Sequence, residues 1–265
     1  MRLSTFDCSS RNVPCYNPAE MKSAFDKGYL EIDFPVAGLD SVPRLLLRSA
    51  RLFFANLRFV AAATLAVFLP AKSALQLVCY LFDVPTGGLA MYLLLDASDL
   101  VFGSLVVPAV IYGLVGRFRS GKLPPLGEAL RWGRRQWGKT LWNKFKVEIT
   151  VTLYAALLLV PGLVKMVRLA FTDPIVAIEG DREPEVLGRS REIGLGHGWL
   201  IFFVLLPVMA AELAGSYVVL GAFHGPADSR ILIAVVDSLL SVGGQWATIV
   251  TLLLYLALAE PPSRS

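Results

Sequence analysis

The sequence predicts an all-α polytopic membrane protein in which six transmembrane helices form three hairpins. Of its 265 residues, 55% are hydrophobic and 17% are charged, whereas soluble domains carry about 25% charged residues. Four stretches also contain the roughly 20 mostly apolar residues that a helix needs to cross a bilayer. This composition argues against a disordered protein, a nucleic-acid-binding module and an ordinary cytosolic enzyme. The four stretches are residues 59–82, 89–116, 199–222 and 231–258.

The chain divides into three parts by composition. We expect a cytoplasmic N-terminal tail over residues 1–41, a six-helix membrane domain over residues 42–259 and a short C-terminal tail over residues 260–265. The N-terminal tail contains Cys8 and Cys15, and their spacing leaves open whether they pair. The first forty residues contain no apolar segment typical of a cleavable signal peptide.

Two further predicted spans, the third and fourth in chain order, are shorter and adjacent. Residues 147–162 and 163–180 are both largely apolar, and Pro161-Gly162 stands where they meet. Because Pro-Gly is a turn signal, the pattern predicts a tight hairpin of two spans. The alternative is one span followed by an interfacial helix, which gives five spans in total.

The distribution of basic residues decides between five and six spans. Lysine and arginine are concentrated before the first span and in the segments 117–146 and 181–198, whereas the segment 83–88 has none and the segment 223–230 has only Arg230. With six spans, every basic-rich segment lies on one side of the membrane. By the positive-inside rule that side is the cytoplasm. We therefore expect six spans with both termini in the cytoplasm.

Each predicted hairpin follows a short basic segment with helical periodicity. We call residues 42–51, 126–135 and 184–192 the elbow segments. A basic amphipathic helix of this kind lies in the membrane interface, with its cations among the lipid headgroups. The elbow segments therefore act either as orientation signals and interfacial anchors or as specific sites for anionic phospholipid. The candidate headgroup-binding residues are Arg44, Arg48, Arg51, Arg131, Arg134, Arg135, Arg189 and Arg191.

Charged residues inside the apolar stretches are the second set of candidates. A charge near the middle of a bilayer costs about 2.5–3.5 kcal/mol on insertion scales, so each one needs a reason. Asp96 and Asp99 are three residues apart and share a helix face, as do Lys165 and Arg168. We expect Asp96 to pair with Lys165 or Arg168 and so to join two hairpins. Asp99 and Glu212 are the stronger candidates for a substrate or proton pathway, because few cations remain at their depth.

Three further charged residues fall within predicted spans, and we assign them no site. Lys72 follows Pro70 in the first span, and Asp173 lies in the fourth span. Asp237 is about two turns from the outer end of the sixth span, which places it nearer the interface than the other candidates. Gly243-Gly244 interrupts the sixth span, and broken helices often line the binding sites of transporters.

A set of short motifs resembles a bacterial family of six-span membrane proteins. The motifs are Pro161-Gly162, Val167-Arg168-Leu169-Ala170-Phe171, Pro174-Ile175-Val176, Glu179-Gly180, Leu187 and Arg189-Ser190. Together with the layout of roughly residues 42–258, they resemble the membrane domain fused to some glycerophosphoryl diester phosphodiesterases and the related stand-alone proteins of the YciC type. The resemblance implies a multi-pass protein of the bacterial inner (plasma) membrane. It does not imply phosphodiesterase activity, because the His-Arg-Gly motif of the separate catalytic barrel is missing.

Signatures of soluble enzymes are also missing from the sequence. It contains no phosphate-binding Gly-rich loop, no His-Glu-x-x-His motif and no Gly-x-Ser-x-Gly elbow. We expect no catalytic residue, cofactor or metal site. The sequence favours a non-enzymatic scaffold or accessory factor that binds anionic lipid, a membrane-protein partner or a second copy of the chain. The alternative is a small transporter or permease that uses Asp99 and Glu212. A lipid-modifying enzyme built around Asp96, Asp99 and Arg168 is the third hypothesis.

Overall fold

The computed structural model describes residues 39–85, 88–180, 185–222 and 230–259, and this part of the chain is all-helical. A 3₁₀ turn, Leu39–Ser41, leads into the first helix. The predicted C-terminal tail, most of the predicted N-terminal tail and both of its cysteines lie outside the described residues. The helices are α1 (Val42–Ala55), α2 (Leu57–Leu81), α3 (Leu89–Ser120), α4 (Leu126–Leu157), α5 (Leu159–Arg168), α6 (Thr172–Ile178), α7 (Val186–Gly194), α8 (Gly198–Ala222) and α9 (Arg230–Leu258).

The four clearest predicted spans are confirmed as long apolar helices. Among the residues that the structure describes, four helices or helix segments are long and apolar enough to cross a bilayer, and each one overlaps a predicted stretch. The segments have 18 to 29 residues, and at 1.5 Å per residue a helix of about 18–20 residues already covers a hydrocarbon core of roughly 30 Å. The four segments are Leu57–Leu81, Leu93–Ser120, Gly198–Gly215 and Arg230–Leu258.

The middle hairpin differs from the sequence prediction. The elbow segment 126–135 is not a separate helix, because α4 runs without a break for 32 residues. The chain turns at Leu158, whose backbone is extended, and not at Pro161-Gly162. Pro161 lies in the first turn of α5, where its missing N–H would have had no helical partner anyway. A Cβ at Gly162 would lie 2.7 Å from the Ala155 Cα, so the glycine allows α5 to pack closely against α4.

The predicted fourth span, residues 163–180, is divided between two short helices. Helix α5 has 10 residues and α6 has 7. At 1.5 Å per residue, α5 is about 15 Å long, which is half the thickness of a hydrocarbon core. Helix α6 is embedded in the bundle, where Ile175 and Val176 are fully buried. Neither helix alone is long enough to cross a bilayer.

The helices pack around α3, α6 and α9. Helix α3 packs along α4, and α2 packs along α9. Helix α6 lies against α3, α4 and α7, and the centre of the core includes Ile111 of α3 and Leu252 of α9, both fully buried. Helix α8 packs on α9, α1 and α5. This arrangement leaves a space between α8 and the α3–α4 pair.

Candidate functional site

The space between α8 and the α3–α4 pair is a cavity of about 1230 Å³. Side chains of α1, α2, α3, α4, α8 and α9 contribute to its wall, together with residues 169–173. Much of the wall is apolar, but the described lining residues include six carboxylates and one lysine, Lys144. Carboxylates are costly in a membrane protein, so their concentration in one cavity indicates a function. The carboxylates are Asp96, Asp99, Glu148, Asp173, Glu212 and Asp237.

A second lysine lies behind the cavity wall. The Lys72 Nζ is 2.8 Å from the Asp99 Oδ1 and 2.6 Å from the Asp237 Oδ2. It also donates a hydrogen bond of 2.9 Å to the Ser241 Oγ. The ring of Phe68 lies on a further side, with its centroid 5.1 Å from the Nζ. We call the four partners of this ammonium group the Lys72 cage.

The members of the cage differ in their access to the cavity. The Lys72 side chain is 0% exposed, whereas the Asp99 and Asp237 side chains are 46% and 19% exposed. The Ser241 hydroxyl donates to the Asp237 carbonyl oxygen at 3.0 Å, so its lone pairs are available to accept from Lys72. The ammonium is therefore enclosed, while Asp99 presents much of its carboxylate to the cavity.

The remaining charges follow the α4 side of the cavity. The Lys144 Nζ lies 3.3 Å from the Asp173 Oδ2. Glu148, one turn further along α4, is within electrostatic range of Asp96, Lys144 and Asp173. On the opposite wall, the Glu212 Oε1 of α8 lies beside Gly244 of α9, 3.4 Å from the position that a Cβ there would take. Glu212 of α8 and Gly244 of α9 are therefore neighbours across the contact between these two helices.

The expected pairing of Asp96 with Lys165 or Arg168 is wrong. Within the residues that the structure describes, no ion pair joins them. The Lys165 Nζ instead lies over the Tyr154 ring, 4.6 Å from its centroid. Arg168 is exposed at the end of α5, and Asp96 lines the cavity. The expectation that Asp99 lacks a cation at its depth is also wrong, because Lys72 is its partner.

The distance of each charged residue from the end of its helix is a sequence signal that could have identified the Lys72 cage. Lys72 is nine residues before the end of α2, Asp99 is ten residues after the start of α3, and Asp237 is seven residues after the start of α9. These separations correspond to about 10–15 Å from the same end of the bundle. Counting from these helix ends therefore places all three charges at about one level.

The elbow arginines lie mostly on the surface. Arg189 is the exception, because its Nε is 3.9 Å from the Glu179 Oε1 and its Nη1 is 3.5 Å from the Glu192 Oε2. Arg48 is half-buried. The exposed arginines are Arg44 and Arg51 of α1, Arg131, Arg134 and Arg135 of α4, and Arg191 of α7.

Several of the motif residues make hydrogen bonds that connect helices. The Ser190 Oγ donates to the Arg168 carbonyl oxygen at 3.0 Å and accepts from the Phe171 backbone N–H at 3.2 Å. The Tyr255 hydroxyl donates to the Glu179 Oε1 at 2.5 Å. These bonds join α7 to the α5–α6 connection and α6 to α9, so the motif residues hold the bundle together at this point.

In the described part of the chain, no group of three or more His, Cys, Asp or Glu side chains is arranged to hold a metal ion. Of the six carboxylates of the cavity, Asp99 and Asp237 converge on the Lys72 ammonium group. Comparison of the chain with protein-family models, with curated proteins and with solved structures finds no match.

Proposed function

We propose that this protein is a small membrane transporter or permease that moves a cationic solute through the acid-lined cavity. The observation that carries the proposal is the excess of negative charge: six lining carboxylates face one lining lysine, with Lys72 behind them. Cavities lined by one sign of charge concentrate solutes of the opposite sign. Rings of Asp and Glu likewise favour cations over anions in membrane pores.

The position of the carboxylates supports a transport role over a purely structural one. A structural ion pair needs one partner for each charge, and here the carboxylates outnumber the lysines. Asp99 and Glu212, the two candidates from the sequence, are on opposite walls of the same cavity. A solute between them would contact both α3 and α8, and these helices are the ones that the cavity separates. Relative movement of α8 could then open the cavity to either side.

We propose six crossings of the inner membrane, with both termini in the cytoplasm. The outer part of α4 forms the third crossing, and α5 and α6 together form the fourth. Residues 159–178 number twenty, enough for one crossing when the break at Leu169–Phe171 lies inside the protein. This topology places the arginines of α4 and α7 on the side that the positive-inside rule assigns to the cytoplasm.

We also retain the resemblance to the six-span family as part of this proposal. Its supporting observation is that the motif residues Ser190 and Glu179 make specific contacts between helices. Residues with such contacts change less freely than lipid-facing residues, so short motifs of this kind are expected in a shared fold.

The test is uptake of radiolabelled cations into proteoliposomes that contain the full chain. We expect uptake of at least one small organic cation, and we expect Asp99→Asn and Glu212→Gln each to reduce it about tenfold or more. Asp83→Asn is the matched control, because Asp83 is exposed in the loop after α2 and does not line the cavity. Failure of every cation to enter above protein-free liposomes would contradict the proposal, as would wild-type uptake by both variants.

A second candidate function is the binding of anionic lipid by an accessory or scaffold protein. The observation in its favour is that Arg131, Arg134 and Arg135 are all exposed in the N-terminal part of α4. Each basic residue near an anionic surface contributes about 1 kcal/mol of attraction. Native mass spectrometry of the protein extracted with its lipids tests this function. A retained anionic lipid that is lost when the three arginines are changed to glutamine would support it.

A further inference from the structure

The Lys72 ammonium occupies a site whose chemistry suits any primary ammonium group. An ammonium ion has three N–H donors and no acceptor. The cage offers three oxygen partners, at 2.8 Å from Asp99, 2.6 Å from Asp237 and 2.9 Å from Ser241. The Phe68 ring adds a face that attracts cations. The number, charge and arrangement of these groups match the donors of R–NH₃⁺.

The two carboxylates of the cage are not equivalent. Asp237 and Ser241 are one turn apart on α9, and Ser241 donates to the Asp237 carbonyl oxygen, so these two groups form one unit. Asp99 comes from α3 and is 46% exposed, against 19% for Asp237. Asp96 lies three residues before Asp99 on the same helix face and also lines the cavity. An incoming cation would therefore meet Asp99 and Asp96 first.

The charge of the cage also leaves room for a second cation. Two carboxylates share one lysine, so one negative charge is not neutralised by Lys72. Two buried polar side chains beside the cage residues in the sequence, Gln76 and Ser98, have polar atoms with no hydrogen-bond partner among the described residues. Buried polar atoms normally have a protein or water partner. Gln76 is one helical turn from Lys72 and Ser98 directly precedes Asp99, so these atoms are suited to bind water near the cage.

We propose that the solute is an organic cation with a primary ammonium group. This group replaces Lys72 as the partner of Asp99. Lys72 then stays with Asp237 and Ser241, while the ammonium of the solute binds Asp99 and Asp96 from the cavity. This inference rests on the proposed transport function and specifies its substrate class. Lys72 therefore competes with the solute for Asp99. It pairs with Asp99 when the cavity is empty, and this ion pair breaks when the ammonium group of a solute binds Asp99.

The experiment measures equilibrium binding of radiolabelled methylammonium to the full chain in lipid nanodiscs. Lys72→Met removes the competitor, and we expect it to bind methylammonium about tenfold more tightly than the wild type. Asp99→Asn removes the receiving carboxylate, and we expect binding about tenfold weaker. Tetramethylammonium, which has no N–H donor, should compete poorly. Lys146→Met and Asp83→Asn, at exposed positions outside the cavity, should leave the affinity unchanged.

A second variant keeps the test valid if Lys72→Met fails to fold. Lys72→Met combined with Asp237→Asn removes one charge of each sign and leaves Asp99 free, so methylammonium should bind at least as tightly as in the wild type. Weaker binding by this double variant would overturn the inference, and so would wild-type affinity in Asp99→Asn or equal competition by tetramethylammonium. If other cations enter proteoliposomes while methylammonium does not bind, the inference fails and the transport proposal stands. If no cation binds or enters, both fail.

Discussion

Lys72→Met should strongly destabilise the protein, and the structure sets the expected size. Lys72 is fully enclosed and pairs with two carboxylates at 2.8 and 2.6 Å. Removal of one partner from a buried ion pair costs about 3–5 kcal/mol, because the opposite charge is left without compensation. Asp99 is 46% exposed and regains part of its solvation from water in the cavity. We therefore expect the lower end of that range, a loss of about 3 kcal/mol in the free energy of unfolding.

Thermal unfolding in detergent, followed by intrinsic tryptophan fluorescence, measures this loss. For a chain of this size a change of 1 kcal/mol shifts the midpoint by about 2–4 °C, so Lys72→Met should lower it by roughly 6–12 °C. Adding Asp237→Asn should restore part of the loss, because it removes the less exposed of the two stranded carboxylates. Lys146→Met provides the control for loss of a lysine. A midpoint within 2 °C of the wild type, or a double variant less stable than Lys72→Met, would refute the reasoning.

Two further predictions concern packing and the bond between α6 and α9. Gly133→Ala should disrupt folding, because its Cβ would overlap the Leu105 carbonyl oxygen of α3. Gly138→Ala is the matched control on the same helix, because a Cβ at Gly138 would have no atom within 4 Å, and it should stabilise α4 by about 0.5–1 kcal/mol. Equal changes of the thermal midpoint in both variants would contradict the close packing of α4 on α3 at Gly133. Tyr255→Phe should cost about 1–3 kcal/mol, since it removes the hydrogen bond to Glu179; an unchanged midpoint would show that this bond does not stabilise the bundle.

The long apolar helices could be predicted from the sequence because their signal is local. Twenty or more apolar residues in a row define a spanning helix without reference to the rest of the chain, and the four stretches correspond to helices. The middle hairpin could not be placed in the same way. Pro161-Gly162 is compatible both with a turn and with the first turn of a helix. The close packing of Gly162 against Ala155 of α4, which the sequence does not reveal, favours the helix.

The candidate site could be predicted only in part, because its contacts join distant segments. The sequence predicts Asp99 and Glu212 as candidates from their depth in the spans, and both line the cavity. The predicted pairing of Asp96 with Lys165 or Arg168 is wrong, because Lys165 contacts the Tyr154 ring and Arg168 is exposed at the end of α5. Lys72 was recognised as unusual but not connected to Asp237, since the two residues are 165 positions apart and only the packing of α2 on α9 brings them together.

Whether water fills the cavity is the most direct test of the account. Ala211 lines the cavity next to Glu212, whereas Leu213 on the same helix is 60% exposed and does not line it. Each would be changed to cysteine in a chain whose native cysteines are replaced by alanine, and the protein in liposomes would be treated with a water-soluble thiol reagent. Such reagents need the thiolate, which forms in water and not in lipid.

The account predicts that Ala211→Cys reacts, that methylammonium slows this reaction, and that Leu213→Cys reacts far more slowly. An unreactive Ala211→Cys beside an equally unreactive Leu213→Cys would show that lipid, and not water, occupies the cavity. That result would contradict the transport proposal and favour the lipid-binding function.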